Sequence, residues 1–469
     1  MPRSGARSVA LVSVFIASGC VIGSDPLEDG GCARPSLLSA GVTSSSRNVL
    51  SALVSLEVKG ADSVVAEFGA GTALDNATPA FIPASDSSAM VVPLLGLLPE
   101  TEYRARVSAF NECGVTTGTT MSFVTLELPQ DLPSYKASGA SEGYIAFAAG
   151  NYGIVIDNTA RVVWYHRFTN GPGLSFQPQP DGRFTARPNP EPGKQASWIE
   201  IDPLGDTTRT FTCAREFQPR LHDMIVLPDG SYWLLCDEIR TVDLSAQGRS
   251  SQQLVMGTGV QHRSADGDVL FEWSPFNNLD IDLSILDPVD ASAVPINWTH
   301  GNSIDLDATG NVTISFRNLS EVINVDTQTG QVRWRLGGKS SRFAFENSSA
   351  PAFVRQHGVR ALPGNQLLLL DNLGEKNGSR GERYQLDLSQ NVARMTGTFS
   401  SNRSFVAQIG GSTQSLPSSR TLVSFGNGGG VEEYDAAGNV VWRLEGNPGY
   451  IFRAMRIKSL YRPGVGDSR

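Results

Sequence analysis

The chain has 469 residues, 40% hydrophobic and 18% charged, a composition that excludes a disordered protein and suits about two globular domains. With 47 acidic against 38 basic residues the formal net charge is −9, so no nucleic-acid partner is expected, because phosphate binding needs a local excess of Lys and Arg. One positive cleft inside a negative protein remains compatible with that balance.

The N-terminal segment reads as an export signal. Arg3 and Arg7 precede an apolar run over 9–17 that is too short for a mature membrane span. It ends Ala17-Ser18-Gly19-Cys20, which resembles a lipobox with Ala where Leu is usual. The reading is a lipoprotein signal peptide over 1–20, with Cys20 acylated; an ordinary signal peptide cut nearby is the alternative. Residues 21–35 are small, acidic and Gly/Pro-containing, as a tether should be. An exported, membrane-anchored protein follows, periplasmic or on the cell surface, held by acyl chains that contribute about 0.8 kcal/mol per buried CH₂. Four further cysteines are an even set in such an oxidising compartment. Proximity suggests Cys32–Cys113 and Cys213–Cys236, with free buried thiols as the alternative. No CxxC or HExxH spacing occurs, and neither metal nor cofactor is expected.

Residues 36–128 read as a β-sandwich, with short alternating runs such as Leu53-Val54-Ser55-Leu56-Glu57-Val58 between Ser/Gly/Asp-rich turns. The run Leu98-Pro99-Glu100-Thr101-Glu102-Tyr103 resembles the E–F corner of fibronectin type III domains, where a Tyr hydroxyl bonds back to upstream backbone. No chemistry is visible there, and a spacer role is expected. Residues 129–133, with a Pro at each end, mark the boundary.

From 134 to 462 one unit recurs. Half of it is an apolar stretch, a Pro/Gly turn and a second apolar stretch, as in Met224-Ile225-Val226-Leu227-Pro228-Asp229-Gly230. The other half is a hairpin whose second strand holds a Trp, such as Trp164, Trp273, Trp334 and Trp442. Two hairpins make one four-stranded blade, so the expected fold is all-β: a fibronectin III-like sandwich followed by a six-bladed β-propeller. The blades fall near 135–172, 173–215, 216–275, 295–340, 350–400 and 403–462, with an Asp-rich loop at 276–294. A stacked solenoid is the rival architecture.

Only five histidines are present, and three share a phase of the repeat. His222 and His357 each lie six positions before their turn proline, and His300 is within one residue of that phase. The start of the innermost strand of a blade faces the central channel, so equal phase brings these rings to one point. Filling a polar pore is the competing explanation for each ring. His166 and His262 are off-phase and take no role.

Around His300 the residues form a specific pattern. His300-Gly301-Asn302-Ser303 is followed by Ser315-Phe316-Arg317, then Val325-Asp326, Thr329-Gly330 and Trp334-Arg335-Leu336-Gly337. A second block holds Gln356-His357-Gly358, Leu362-Pro363-Gly364-Asn365, Asp371-Asn372 and Ser379-Arg380. Together these motifs resemble the bacterial aryl-sulfate sulfotransferases, over most of 135–462 and most densely between 295 and 385. The resemblance implies transfer of a sulfuryl group from a phenolic sulfate ester to an acceptor phenol, in ping-pong fashion through a transiently sulfated histidine. His357 matches that nucleophile. His222, His300, Asn302 and Arg317 match positions that bind the sulfuryl oxygens and handle the phenolic proton. Arg380 and Asn372 match family positions too, with structural and substrate-binding roles both open. Departures are the acylation signal, the fibronectin-like domain, and Phe316 and Leu319 where more polar residues are common.

The physical chemistry agrees. Sulfuryl transfer, like phosphoryl transfer, spreads negative charge over equatorial oxygens, so positioning and electrostatics do most of the work. Arg317 supplies a permanent cation, Asn302 a neutral donor, and His357 must be unprotonated to attack. A second His donating a proton would help a phenolate leave. No nucleotide donor is needed. The alternative from another class is a non-catalytic, lipid-anchored propeller that binds an anionic ligand or a protein, for which the 276–294 loop and the tether speak. A quinone-dependent dehydrogenase propeller has too many blades to fit.

Overall fold

A computed structural model describes residues 32–348, 352–374 and 378–461; the signal peptide, Cys20 and most of the tether lie outside them. The chain divides into two compact units at Leu128/Pro129.

In the first unit two antiparallel sheets share one core. Ser51–Lys59 pairs with Ser36–Ser44 and Ser87–Leu95 in one sheet, and Ser63–Ala70 pairs with Glu102–Asn111 in the other. Strict alternation explains the packing: Ala52, Val54, Leu56 and Val58 are buried against Val64, Ala66, Val107 and Ala109 of the opposite sheet. Tyr103 is buried and its hydroxyl oxygen accepts the Leu98 N–H at 2.9 Å. A disulfide joins Cys32 and Cys113.

Six sheets make up the described part of the second unit, a β-propeller-like arrangement. The second runs Phe176–Pro178, Phe184–Ala186, Trp198–Ile201 and Thr207–Phe211, and the third starts with Gln218–Val226. The fourth starts with Gly301–Leu306, the fifth with His357–Leu362 and the sixth with Ser412–Ser415. Sequence grouping assigned 454–457 to the last blade and 137–139 to the first; the structure exchanges them. Ala454–Ile457 pairs with Tyr144–Ala149 of the first sheet, and Ala137–Gly139 pairs with Val440–Leu444 of the sixth. Each end of the unit thereby completes the other's sheet.

The recurrent turn works as its residues require. In Pro228-Asp229-Gly230 the Gly230 N–H donates to Leu227 O, φ is +82°, and the Asp229 carboxylate accepts the Ser231 N–H. The recurring Trp side chains reach the neighbouring sheet. Trp164 stacks on Phe184 at 4.8 Å and donates its indole N–H to Pro203 O, and Trp442 donates to Asn158 O. A second disulfide, Cys213–Cys236, joins the second sheet's exit to the third.

One buried carboxylate gathers five of the sheets. Asp223 accepts from the Gln177 amide of the second sheet, the Ile304 N–H of the fourth and Arg360 of the fifth. It also accepts from Arg453, which leads into the final strand of the first sheet. Burial pushes its carboxyl up and the two guanidiniums pull it further down, so the charged form wins. Replacing Asp223 by Ala leaves two buried cations unpaired, so the urea midpoint of unfolding should fall by the equivalent of about 3–5 kcal/mol.

Candidate active site

The first strands of the third, fourth and fifth sheets pack side by side, and each brings one histidine. His222 lies within Gln218–Val226, His300 immediately precedes Gly301–Leu306, and His357 opens its strand. The His222 and His300 ring centroids are 5.2 Å apart. Phe452 is shared: its ring lies 5.4 Å from His222 and 6.1 Å from His357. The two off-phase rings are elsewhere, His166 beside Trp164 and His262 stacked on Trp233 at 4.4 Å. His300 and Arg355 both hold positive φ, 52° and 56°, a conformation that costs a non-glycine residue about 1 kcal/mol or more.

Hydrogen bonds fix two of the three tautomers. His357 Nδ1 faces two acceptors, Arg355 O at 3.0 Å and Asn372 Oδ1 at 2.9 Å. The Asn372 amide cannot be turned round, because its Nδ2 donates to Ala407 O and Gly410 O. Nδ1 of His357 therefore carries the proton and Nε2 keeps its lone pair, which meets the Gly410 N–H at 3.3 Å. His300 is the reverse. Its Nδ1 is 2.7 Å from Asn297 Nδ2, and that nitrogen also donates to the Asp290 carboxylate, which can only accept. His300 Nδ1 is thus an acceptor and the proton sits on Nε2. His222 Nδ1 is buried without a partner among the described residues.

All three rings are held neutral. Burial, against the Asn372 hydrogen bond and aided by Arg317 and Arg453, lowers His357 to about 4. His222 and His300 are pushed well below the ordinary imidazole range, first by burial and then by Arg220. Arg220 donates to Gly301 O at 2.9 Å and pairs with Asp237 at 2.6 Å.

The other predicted residues divide by what they touch. Arg317 is largely buried; Nη1 donates to Asn318 Oδ1 at 2.8 Å and lies 3.5 Å from Asp290, while its Nε has no partner among the described residues. Asn302 donates to Gln356 O at 2.7 Å, so one amide N–H holds the residue before His357 instead of facing the pocket. Asn372 holds the His357 ring, which gives it a positioning role. Arg380 pairs with Glu382 at 2.6 Å and lies 3.9 Å from Asp371. Sequence reasoning passed over Arg220, Arg355, Asn297, Phe452 and Arg453. A signal existed for the first two: Arg220-Leu221-His222 and Arg355-Gln356-His357 repeat the same Arg-x-His spacing in two sheets.

A cleft of about 240 Å³ shares Phe452 with the cluster and is otherwise lined by Ala148, Pro172, Leu174 and Tyr450, among others. Heteronuclear NMR of labelled histidine nitrogens should find His357 protonated on Nδ1 only, and it should gain its second proton near pH 4. Titration near the ordinary imidazole value would contradict this geometry.

Comparison with known proteins follows the same line. The arylsulfotransferase (ASST) family profile matches residues 206–447, just over half of the chain. No curated protein matches. Among solved structures, a protein of unknown function from Bacteroides caccae is 14% identical, covering 67% of this chain and 98% of its own, with a TM-score of 0.43. Virginiamycin B lyase from Staphylococcus aureus is 12% identical over 75% of this chain and 93% of its own, with a TM-score of 0.33. A gluconolactonase from Xanthomonas campestris is 14% identical over 68% and 96%, with a TM-score of 0.34. The matched segment contains His222, His300, Arg317 and His357, and the chain belongs to the arylsulfotransferase family.

Proposed function

We propose that this protein is an aryl-sulfate sulfotransferase that works by a ping-pong mechanism, with His357 as the nucleophile. The observation that carries the reading is the fixed tautomer of His357: its Nδ1–H is held by two acceptors, so Nε2 keeps a lone pair, which meets the Gly410 N–H at rest and leaves it to attack, while Arg317 acts on the ring electrostatically. In the first half-reaction Nε2 attacks the sulfur of an aryl sulfate, the N–S bond forms and the aryl S–O bond breaks. Arg317 and the Nε2–H of His300 bind sulfuryl oxygens. In the second, an acceptor phenol gives its proton to a neutral imidazole, its oxygen attacks the sulfur, and His357 is released. His222 suits this base role, because its Nδ1 has no hydrogen bond to break. The first aryl group leaves as its phenolate, and neutral His222 takes up a proton only from the acceptor in the second half-reaction.

The cleft beside Phe452 has the size and lining for an aryl ring, since an apolar cavity of roughly 150 Å³ already accepts benzene. We read the second unit as a six-bladed β-propeller and the first as a fibronectin III-like sandwich. The six sheets and the bond between Tyr103 and Leu98 support this. We also propose export and anchoring through Cys20, at the periplasmic or outer face of a membrane. The signal-like N-terminus and the two disulfides support that reading.

Purified protein should release p-nitrophenol from p-nitrophenyl sulfate, faster when phenol is added as acceptor. His357→Ala and His357→Asn should each lower turnover by at least about 10³-fold. Full turnover in both variants would remove His357 from the mechanism. Because His357 must be neutral, kcat/KM should stay level from about pH 7 to pH 5 and fall as the pH drops through about 4. An acidic limb centred near the free imidazole value would contradict the assignment.

A further inference from the structure

The Asp-rich loop lies directly on the cations of this site. Its N-terminal part is anchored by the core, with Leu279 and Leu283 buried and Ile281, Ile285 and Leu286 packed beside them. Beyond Leu286 the character changes. No residue of 287–295 is buried, and Val289 and Val294 are 78% and 80% exposed. What holds this stretch is charge. Asp287 pairs with Arg355 at 3.0 Å, and Asp290 Oδ2 lies 3.4 Å from Arg355 and 3.5 Å from Arg317. The other Asp290 oxygen accepts from Asn297 at 2.7 Å. Asn318 Oδ1 accepts from the same two guanidiniums, at 2.8 Å from Arg317 and 3.3 Å from Arg355.

A carboxylate oxygen between two guanidiniums occupies the position that a sulfate oxygen would take. Two acids against two cations also cancel the local positive charge that would otherwise hold an anionic ester. We propose that residues 287–294 are an anion-displaced gate: Asp290 and Asp287 neutralise Arg317 and Arg355 at rest, and an incoming sulfate group takes their place. Arg355 is then a second anion-binding guanidinium beside Arg317. Ion pairs without a packed apolar face are easily exchanged for another anion, whereas the core-anchored 279–286 stays in place. The gate also explains how a site made for anions stays closed to the weaker ones around it, because a ligand must outcompete two tethered carboxylates.

This inference rests on the sulfuryl site proposed above, and its test does not need turnover. With inorganic sulfate as the probe, calorimetry on the full chain should show Asp290→Asn binding about 5–10-fold more tightly than the wild type. Asp282→Asn, which alters an acid of the same loop paired with Lys339, should leave sulfate affinity unchanged. In the wild type, amide hydrogen exchange over 287–294 should quicken when sulfate is added. For p-nitrophenyl sulfate, Asp290→Asn should lower KM without raising kcat. Unchanged or weaker sulfate binding by Asp290→Asn overturns the gate, as does exchange that sulfate leaves alone or slows. A wild type that turns over no aryl sulfate while Asp290→Asn still tightens sulfate would sink the enzyme reading and leave the gate standing.

Discussion

His222 and Asp223 are neighbours in the part of Gln218–Val226 where the regular pairing with the next strand is interrupted. One of them enters the reactive cluster while the other anchors the middle of the unit. The Asp223 carboxylate draws together groups from the second, fourth and fifth sheets and the strand that completes the first. The sixth joins through Gln414, whose amide bonds both the N–H and the C=O of Arg456. A carboxylate with this many partners is in effect a fixed point. Asp223 bonds Ile304 near His300 and Arg360 near His357, so this fixed point constrains the spacing of the rings. Removing the charge would disturb stability and ring geometry together.

The electrostatic design keeps acids at the edges. Among the described residues no carboxylate is hydrogen-bonded to the three rings, and the cations near them, Arg220, Arg317 and Arg453, add to burial in lowering their proton affinity. Neutral imidazoles are the outcome, and neutrality is what a nitrogen nucleophile needs. The carboxylates act one layer out: Asp237 on Arg220, Asp223 on Arg360 and Arg453, Asp290 on Arg317 and Arg355. Each cation is oriented without quenching the ring next to it. Asn372 and Asn297, both uncharged, set the tautomers of His357 and His300 in opposite senses, so that one ring presents a lone pair and the other an N–H.

Much of this was legible from the residues because repeat phase carries spatial information. Three histidines at one phase of a strand-turn-strand unit come together, and their surrounding motifs carried the family resemblance. The recurring Trp positions marked the strands that face a neighbouring sheet. What escaped depends on pairing between distant segments. That 454–457 completes the first sheet cannot be read from local alternation, which looks the same in either sheet. The resemblance made Asn302 a donor to the substrate; that one of its amide N–H groups also holds Gln356 O depends on the fourth and fifth sheets meeting there. Phe452, far along the chain from His222 and His357, lies between them only because the chain end returns to the first sheet. The 276–294 loop stood out by composition, but composition did not say that two of its acids reach Arg317 and Arg355.

The central claim is that a lone pair on His357 Nε2 receives the sulfuryl group. The most direct measurement is to expose the protein to an aryl sulfate without acceptor, quench under alkaline conditions that spare phosphoramidate-like N–S bonds, and locate the adduct by tandem mass spectrometry of its peptides. The account predicts one added SO₃, carried by the peptide containing His357 and lost when phenol is supplied. An adduct on another residue, or none at all while transfer to phenol proceeds, would contradict it.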